Sequence, residues 1–318
     1  TALFGKIRPF AGYLIALMLF YFLIRNFFQT HTELKHVAFR VQWQWIVLSF
    51  GVQILYRSFY TAPFAILLSG MTRRRVSFCS AFVLFHLANI TRYLPGRIWG
   101  VVRLLSLSGQ FGLSKTAVGS SLTLHVGIET ALGGVIALSL LFSKQMRQPL
   151  VEVLEKVSGH APLLALSVIG VMAFLVFLIP QLAHYAKAFL KTLALLLKTS
   201  SLWRTVLVSH SLLWLCQGFA YLFVRSLAPV RWADAGVLTA SYAFAWIVGF
   251  LSFLTPGGLG VREGLLGMLL VYYMPAKEAT LVALLCRLWM LSAEMVLAAI
   301  AFLINRRCDE RYYSPQNH

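Results

Sequence analysis

The sequence predicts an all-α, polytopic membrane protein built from two inverted repeats. Each repeat is expected to hold three spanning helices and a re-entrant Pro-Gly hairpin, for about six to eight crossings in all. Three observations lead there. The chain is 59% hydrophobic and 12% charged, with a mean hydropathy of +0.77, where a soluble domain carries roughly a quarter charged residues. Apolar runs of about 20 residues recur, the length of a spanning helix rather than of barrel strands. A helix-breaking motif in the first half returns in the second.

Taken in order, the first apolar run is 10–28, preceded by Lys6 and Arg8. It has no small-residue cleavage site, so no cleavable signal peptide is expected. A polar loop with Glu33, Lys35 and Arg40 follows. The second span is expected over 44–69, with Arg57 near its middle and Arg73 to Arg75 closing it. Residues 76–93 form the first arm of a hairpin. His86, Asn89 and Arg92, spaced by three, share one helix face there. Leu94-Pro95-Gly96 breaks the helix, and 97–111 returns with Arg97 and Arg103. The span at 115–142 carries His125 and Glu129, four apart and on one face. After a polar loop at 143–160, a fifth apolar run covers 161–180. An amphipathic stretch with Lys187, Lys191 and Lys198 follows it. The next span, 203–227, holds His210 and Gln217. Residues 235–254 lead into Thr255-Pro256-Gly257-Gly258-Leu259-Gly260-Val261-Arg262-Glu263, and an apolar return reaches 274. The last span is expected over 277–304, with Arg287 and Glu294 inside.

The repeat follows from offsets. Pro95 maps on Pro256 at 161 residues, Trp43 on Trp203 at 160, and Lys115 on Lys277 at 162; Arg57 then falls opposite Gln217. The division is 1–160 for the first repeat, 161–304 for the second and 305–318 for a polar tail expected to lack order. If the Pro-Gly hairpins cross fully, the halves share an orientation. If they are re-entrant, each half crosses three times, the halves are inverted and the hairpins meet near the midplane. The re-entrant reading places twelve Lys and Arg inside and eight outside.

The net charge is +18. It reads as membrane-flanking charge and as attraction to anionic lipid. It does not read as a nucleic-acid surface, because the basic residues are spread among apolar segments. Cys79, Cys216, Cys286 and Cys308 have no metal or redox spacing. No His, Asp and Glu cluster has ligand spacing, no nucleophile has a local base, and no Gly-x4-Gly-Lys-Ser/Thr stretch is present. Neither enzyme chemistry nor a cofactor is expected. The residues left for function are the charges at membrane depth: Arg92, Arg97, Arg103, Arg262 and Arg287 against Glu129, Glu263 and Glu294. Each is costly in lipid unless paired. Pairs such as Glu129 with Arg97 or Glu263 with Arg287 are one outcome; a surplus of arginines suited to a phosphate is the other. Gly96, Gly257, Gly258 and Gly260 allow the turns.

Asn89-Ile-Thr-Arg-Tyr-Leu-Pro-Gly-Arg97, Glu129, Pro256-Gly-Gly-Leu-Gly-Val-Arg-Glu263 and Arg287 resemble the lysylphosphatidylglycerol synthase transmembrane-region family. That family includes the flippase half of the bacterial multiple peptide resistance factor. It often has Gly-Glu after the first Pro-Gly-Arg, where this chain has Ile98-Trp99-Gly100-Val101 and no acid. The resemblance implies a protein of a bacterial or archaeal cytoplasmic membrane. It would move an anionic, aminoacylated or polyprenyl-phosphate-linked lipid between leaflets, with Arg92, Arg97, Arg103 and Arg262 on the headgroup phosphate. Glu129 and Glu263 would steady those arginines or meet a cationic headgroup. A non-catalytic partner of a membrane glycosyltransferase is the second reading and a lipid-headgroup enzyme the third. A homodimer is left open.

Overall fold

The computed structural model describes residues 41–93, 99–143, 146–148, 151–152, 155, 200–218, 220–228, 230–251 and 260–313. The expected first span at 10–28, the fifth apolar run at 161–180 and the amphipathic stretch after it lie outside these. So do Pro95, Gly96 and Arg97 of the first hairpin, and Pro256, Gly257 and Gly258 of the second. Among the described residues every regular element is helical. Four segments are long and apolar enough to cross a bilayer: Lys115–Phe142, Leu202–Leu227, Trp232–Phe250 and Ala276–Arg306. This is consistent with an integral membrane protein.

The first described helices are α1 (Trp43–Phe59) and α2 (Thr61–Thr72), where the sequence suggested one continuous span. Pro63 explains the break. It has no N–H for the carbonyl of Phe59, and its ring crowds that carbonyl. Thr61 steadies the joint by donating Oγ1–H to the carbonyl of Ser58 at 2.8 Å. Ser77 caps α3 (Phe78–Asn89) by accepting the N–H of Ser80. A 3-10 turn, Ile90–Tyr93, extends it toward the hairpin tip. The return arm is α4 (Trp99–Leu107). Ser114 caps α5 (Lys115–Leu138) in the same way, through the N–H of Ala117.

The second half contains α6 (Ser200–Gly218), α7 (Ala220–Leu227), α8 (Ala235–Leu251), α9 (Val261–Leu270) and α10 (Ala276–Tyr313). The helix α10 runs on through Tyr313, so most of the expected polar tail continues the last helix.

The offsets of the sequence pair α1 and α2 with α6 and α7, α3 with α8, α4 with α9, and α5 with α10. Exchanging the halves in this way turns each main packing contact into another that is present. The contact α5 on α8 becomes α10 on α3, α1 on α7 becomes α6 on α2, and α2 on α5 becomes α7 on α10. The direction of the helices follows from their ends. The N–H of Gln42, before α1, bonds the carbonyl of Ser226, near the end of α7, at 3.0 Å. At the other end, a Cβ on Gly70 of α2 would lie 3.2 Å from Leu202 of α6. The α1–α2 pair therefore runs antiparallel to α6–α7. Phe82, early in α3, packs on Leu297 and Ala301, late in α10, which sets α10 to end beside Arg73 to Arg75. The opposite face carries Arg225, its guanidinium 4.6 Å from the ring centre of Trp232 and 5.8 Å from that of Trp45.

Candidate functional site

Arg57, Glu129 and Glu294 each fall within about one turn of the middle of their helical segments, 43–72, 115–142 and 276–306. The charges thus collect at one depth. Glu294 of α10 is buried and takes two guanidiniums, from Arg57 of α1 and Arg92 beyond α3. Its second oxygen accepts the hydroxyl of Tyr93 at 2.6 Å. Arg92 also donates to Asn89 Oδ1 at 3.1 Å and to the Tyr93 hydroxyl at 3.2 Å. The i, i+3 spacing read from the sequence is thus used within the helix end, to aim Arg92. The hairpin arms can close because Gly100 backs onto Arg92: a Cβ there would sit 3.2 Å from Arg92 Cβ.

The second hairpin uses the same device in reverse order. Gly249 of the first arm backs onto Arg262 of the return arm, where an added Cβ would meet Arg262 Cβ at 2.8 Å. Gly260, at φ +85°, starts α9 in a conformation that suits only glycine. Its N–H donates to Glu263 Oε2 at 2.7 Å, and Glu263 Oε1 faces Arg287 Nε of α10 at 3.5 Å. The guanidinium of Arg287 lies 5.5 Å from the centre of the Tyr93 ring, so Tyr93 of the first hairpin reaches Glu263 of the second by way of Arg287.

Arg262 is different. It is 6% exposed. Its guanidinium lies 4.5 Å from the Tyr242 ring centre and donates from Nη1 to the sulfur of Met290 at 3.3 Å. Among the described residues it has no carboxylate partner. A thioether is a weak acceptor, and an aromatic face gives only part of what a desolvated guanidinium needs.

The third group is on α5. Glu129 is buried and accepts the Tyr56 hydroxyl on Oε1 at 3.3 Å, while Oε2 has no hydrogen-bond partner among the described residues. Its backbone carbonyl accepts Nε1–H of Trp214, at 3.0 Å, which ties α5 to α6. Gly133 makes room for that indole. One turn earlier, His125 Nδ1 lies 2.9 Å from His210 Nε2.

No family model matches the chain, and neither any curated protein nor any solved structure matches it.

Of the residues singled out in the sequence, Asn89, Arg92 and Glu294 come together with Arg57, and Glu263 meets Arg287. Arg103 lies on an exposed part of α4 outside this cluster. His86 is buried between the rings of Phe82 and Phe85, and its Nε2 has no partner. Gln217 lines a cavity of about 20 Å³, room for one water, with Tyr221, Tyr242 and Cys286. No group of three His, Cys, Asp or Glu able to hold a metal is present among the described residues. Tyr56, Tyr93, Tyr242, Trp214 and Met290 were not foreseen. Two of them had a signal: Tyr56 precedes Arg57 and Tyr93 follows Arg92, and each arginine lies over its neighbour's ring.

Proposed function

We propose that the protein is a lipid transporter of the flippase type, with inverted repeats and two re-entrant hairpins. The antiparallel course of α1–α2 and α6–α7 supports the inversion. The return arms support re-entry: α4 has 9 residues and α9 has 10, about 14 and 15 Å of helix against an apolar bilayer core of about 30 Å.

The observation that carries the function is Arg262. The other described guanidiniums at this depth, on Arg57, Arg92 and Arg287, face carboxylates. They hold the frame of the two hairpins. Arg262 has no carboxylate partner among the described residues, at the tip-side start of the return arm of the second hairpin, as a headgroup phosphate site requires. Arginine offers a phosphate a two-point fork, and the anion supplies the charge compensation that the thioether cannot. Arg97, which lies outside the described residues, is the second phosphate ligand that the sequence suggests. The acyl or polyprenyl tails remain in the bilayer.

The test is a leaflet-resolved assay in vesicles, with acyl-labelled phosphatidylglycerol in one set and labelled polyprenyl phosphate in another. A charge-assisted bond is worth about 1.5–3 kcal/mol, so Arg262→Ala should slow lipid movement about 10- to 100-fold. Arg103→Ala should stay within about twofold of the parent if the headgroup is held at Arg262. An Arg262→Ala protein that elutes as the parent does and moves lipid at the parent rate sinks the assignment.

A further inference from the structure

Glu129 and the histidine pair beside it are left unused by the phosphate site. Their hydrogen atoms can be placed from the bonds. A carbonyl oxygen only accepts, so His210 Nδ1, 2.8 Å from the carbonyl of Val206, carries the hydrogen. In the neutral ring His210 Nε2 is then the acceptor, and His125 Nδ1 donates to it at 2.9 Å. The lone pair of His125 is left on Nε2, in a ring that is 0% exposed and, among the described residues, has no partner for that atom. One turn on, Glu129 Oε2 is also buried without a hydrogen-bond partner among the described residues. Two proton-accepting atoms therefore lie unsatisfied on one face of α5, where each would normally be paired. Tyr60 spans them: its ring centre is 4.5 Å from that of His125, and its hydroxyl faces the Glu129 carboxylate.

The described surroundings give Glu129 no ion-pair partner. From α1 it faces Tyr56 and Arg57, the latter held by Glu294; from beyond α3 it faces Arg92, held by the same acid. The joint before α2 adds Tyr60, and α8 places Tyr242 near Tyr56. Packed on α5, α6 brings His210, and α4 brings the exposed Arg103. A buried carboxylate with one free oxygen is relieved by binding a proton. The position has a direction too. Glu129 is mid-span, and His125 and His210 lie one turn nearer the face that bears Arg73 to Arg75.

We propose that Glu129, served by the His125–His210 pair, is a proton-binding site coupled to lipid movement. The proton passes from the Arg73–Arg75 face to His125 Nε2 and on to Glu129 Oε2. His125 returns to neutral and the carboxylate becomes the acid, so charge and protons balance. The coupling rests on the transporter reading; the proton site does not. Two measurements keep them apart. Infrared titration of the protein in phosphatidylglycerol vesicles should show a buried carboxylic-acid band that rises as pH falls and is missing in Glu129→Gln. In the leaflet-resolved assay, with acyl-labelled phosphatidylglycerol and, separately, labelled polyprenyl phosphate, a gradient of about two pH units should change the parent rate by about tenfold. Glu129→Gln should move lipid at a rate indifferent to the gradient, and His125→Gln should blunt the response while keeping the infrared band. Absence of the Glu129 band overturns the site. A band with equal rates at all gradients overturns the coupling. If neither labelled lipid moves in the parent, the transporter reading and the coupling fall together, and the band still decides whether Glu129 binds a proton.

Discussion

Glu294 receives two guanidiniums and a phenol, and all three come from the first half of the chain. Removing its charge would leave Arg57 and Arg92, 13% and 33% exposed, facing each other without a counter-charge. Breaking a buried pair from one side costs about 3–5 kcal/mol. Glu294→Gln keeps the shape and an acceptor for Tyr93, so its loss of stability to denaturant in detergent should fall in that range. A change below about 0.5 kcal/mol, the level of an ordinary surface substitution, would show that the two arginines are solvated instead. The sequence marked Arg57, Asn89, Arg92 and Glu294 as charged or polar groups out of place in apolar helices. It could not show that Arg57 and Arg92 share Glu294. Their partner lies more than two hundred residues on, and helical periodicity reports only neighbours within a turn or two. Glu263 with Arg287 was readable as a pair because few acids were available at that depth. That no described guanidinium reaches Glu129 was not readable, since the lack of a partner is a fact of packing.

The hairpins show what an element adds to its residues. Each Pro-Gly motif announced a break, and the lengths of the arms followed approximately. The glycines that let the arms approach, Gly100 and Gly249, stand outside the tips and carried no mark. The approach at Gly249 is the tighter, since a methyl carbon added there would lie 2.8 Å from Arg262 Cβ. Gly249→Ala must push Arg262 aside. Overpacking of this kind costs about 1–3 kcal/mol. Gly51, on an exposed part of α1 with nothing within 4 Å of an added Cβ, is the control: Ala there should stabilise by about 0.5–1 kcal/mol. Thermal unfolding of the two variants in the same detergent should separate them in sign. Equal shifts would mean that the α8–α9 contact is loose. The break between α1 and α2 was missed for the reverse reason. Pro63 sits in an unbroken apolar run, and composition kept the run continuous where the backbone could not be.

At the scale of the molecule, the antiparallel course of α1–α2 and α6–α7 makes a claim about sides. The helix α2 ends at Arg73 to Arg75, and the late turns of α10 pack beside the start of α3, through Phe82, Leu297 and Ala301. The start of α10 is therefore on the opposite side, with the Arg225, Trp45 and Trp232 cluster. Indole rings around an arginine suit a membrane–water interface, where one end of the group is apolar and the other wet. The repeat is an expectation from offsets, and an offset is blind to direction: parallel and inverted copies give the same numbers. The antiparallel course of α1–α2 and α6–α7 rests on two contacts at opposite ends, Gln42 with Ser226 and Gly70 with Leu202. Single cysteines at Arg74, Ala276 and Arg306, in a chain whose four native cysteines are replaced by alanine, test it. All three positions are exposed. In sealed vesicles an impermeant maleimide should label Arg74→Cys and Arg306→Cys from one face, and Ala276→Cys from the other. Parallel halves would put the start of α10 on the side of α2's end, as its counterpart Lys115 starts α5 there. Labelling of Arg74→Cys and Ala276→Cys from the same face would therefore exclude the inverted arrangement, and with it the meeting of two hairpins from opposite leaflets on which the phosphate site depends.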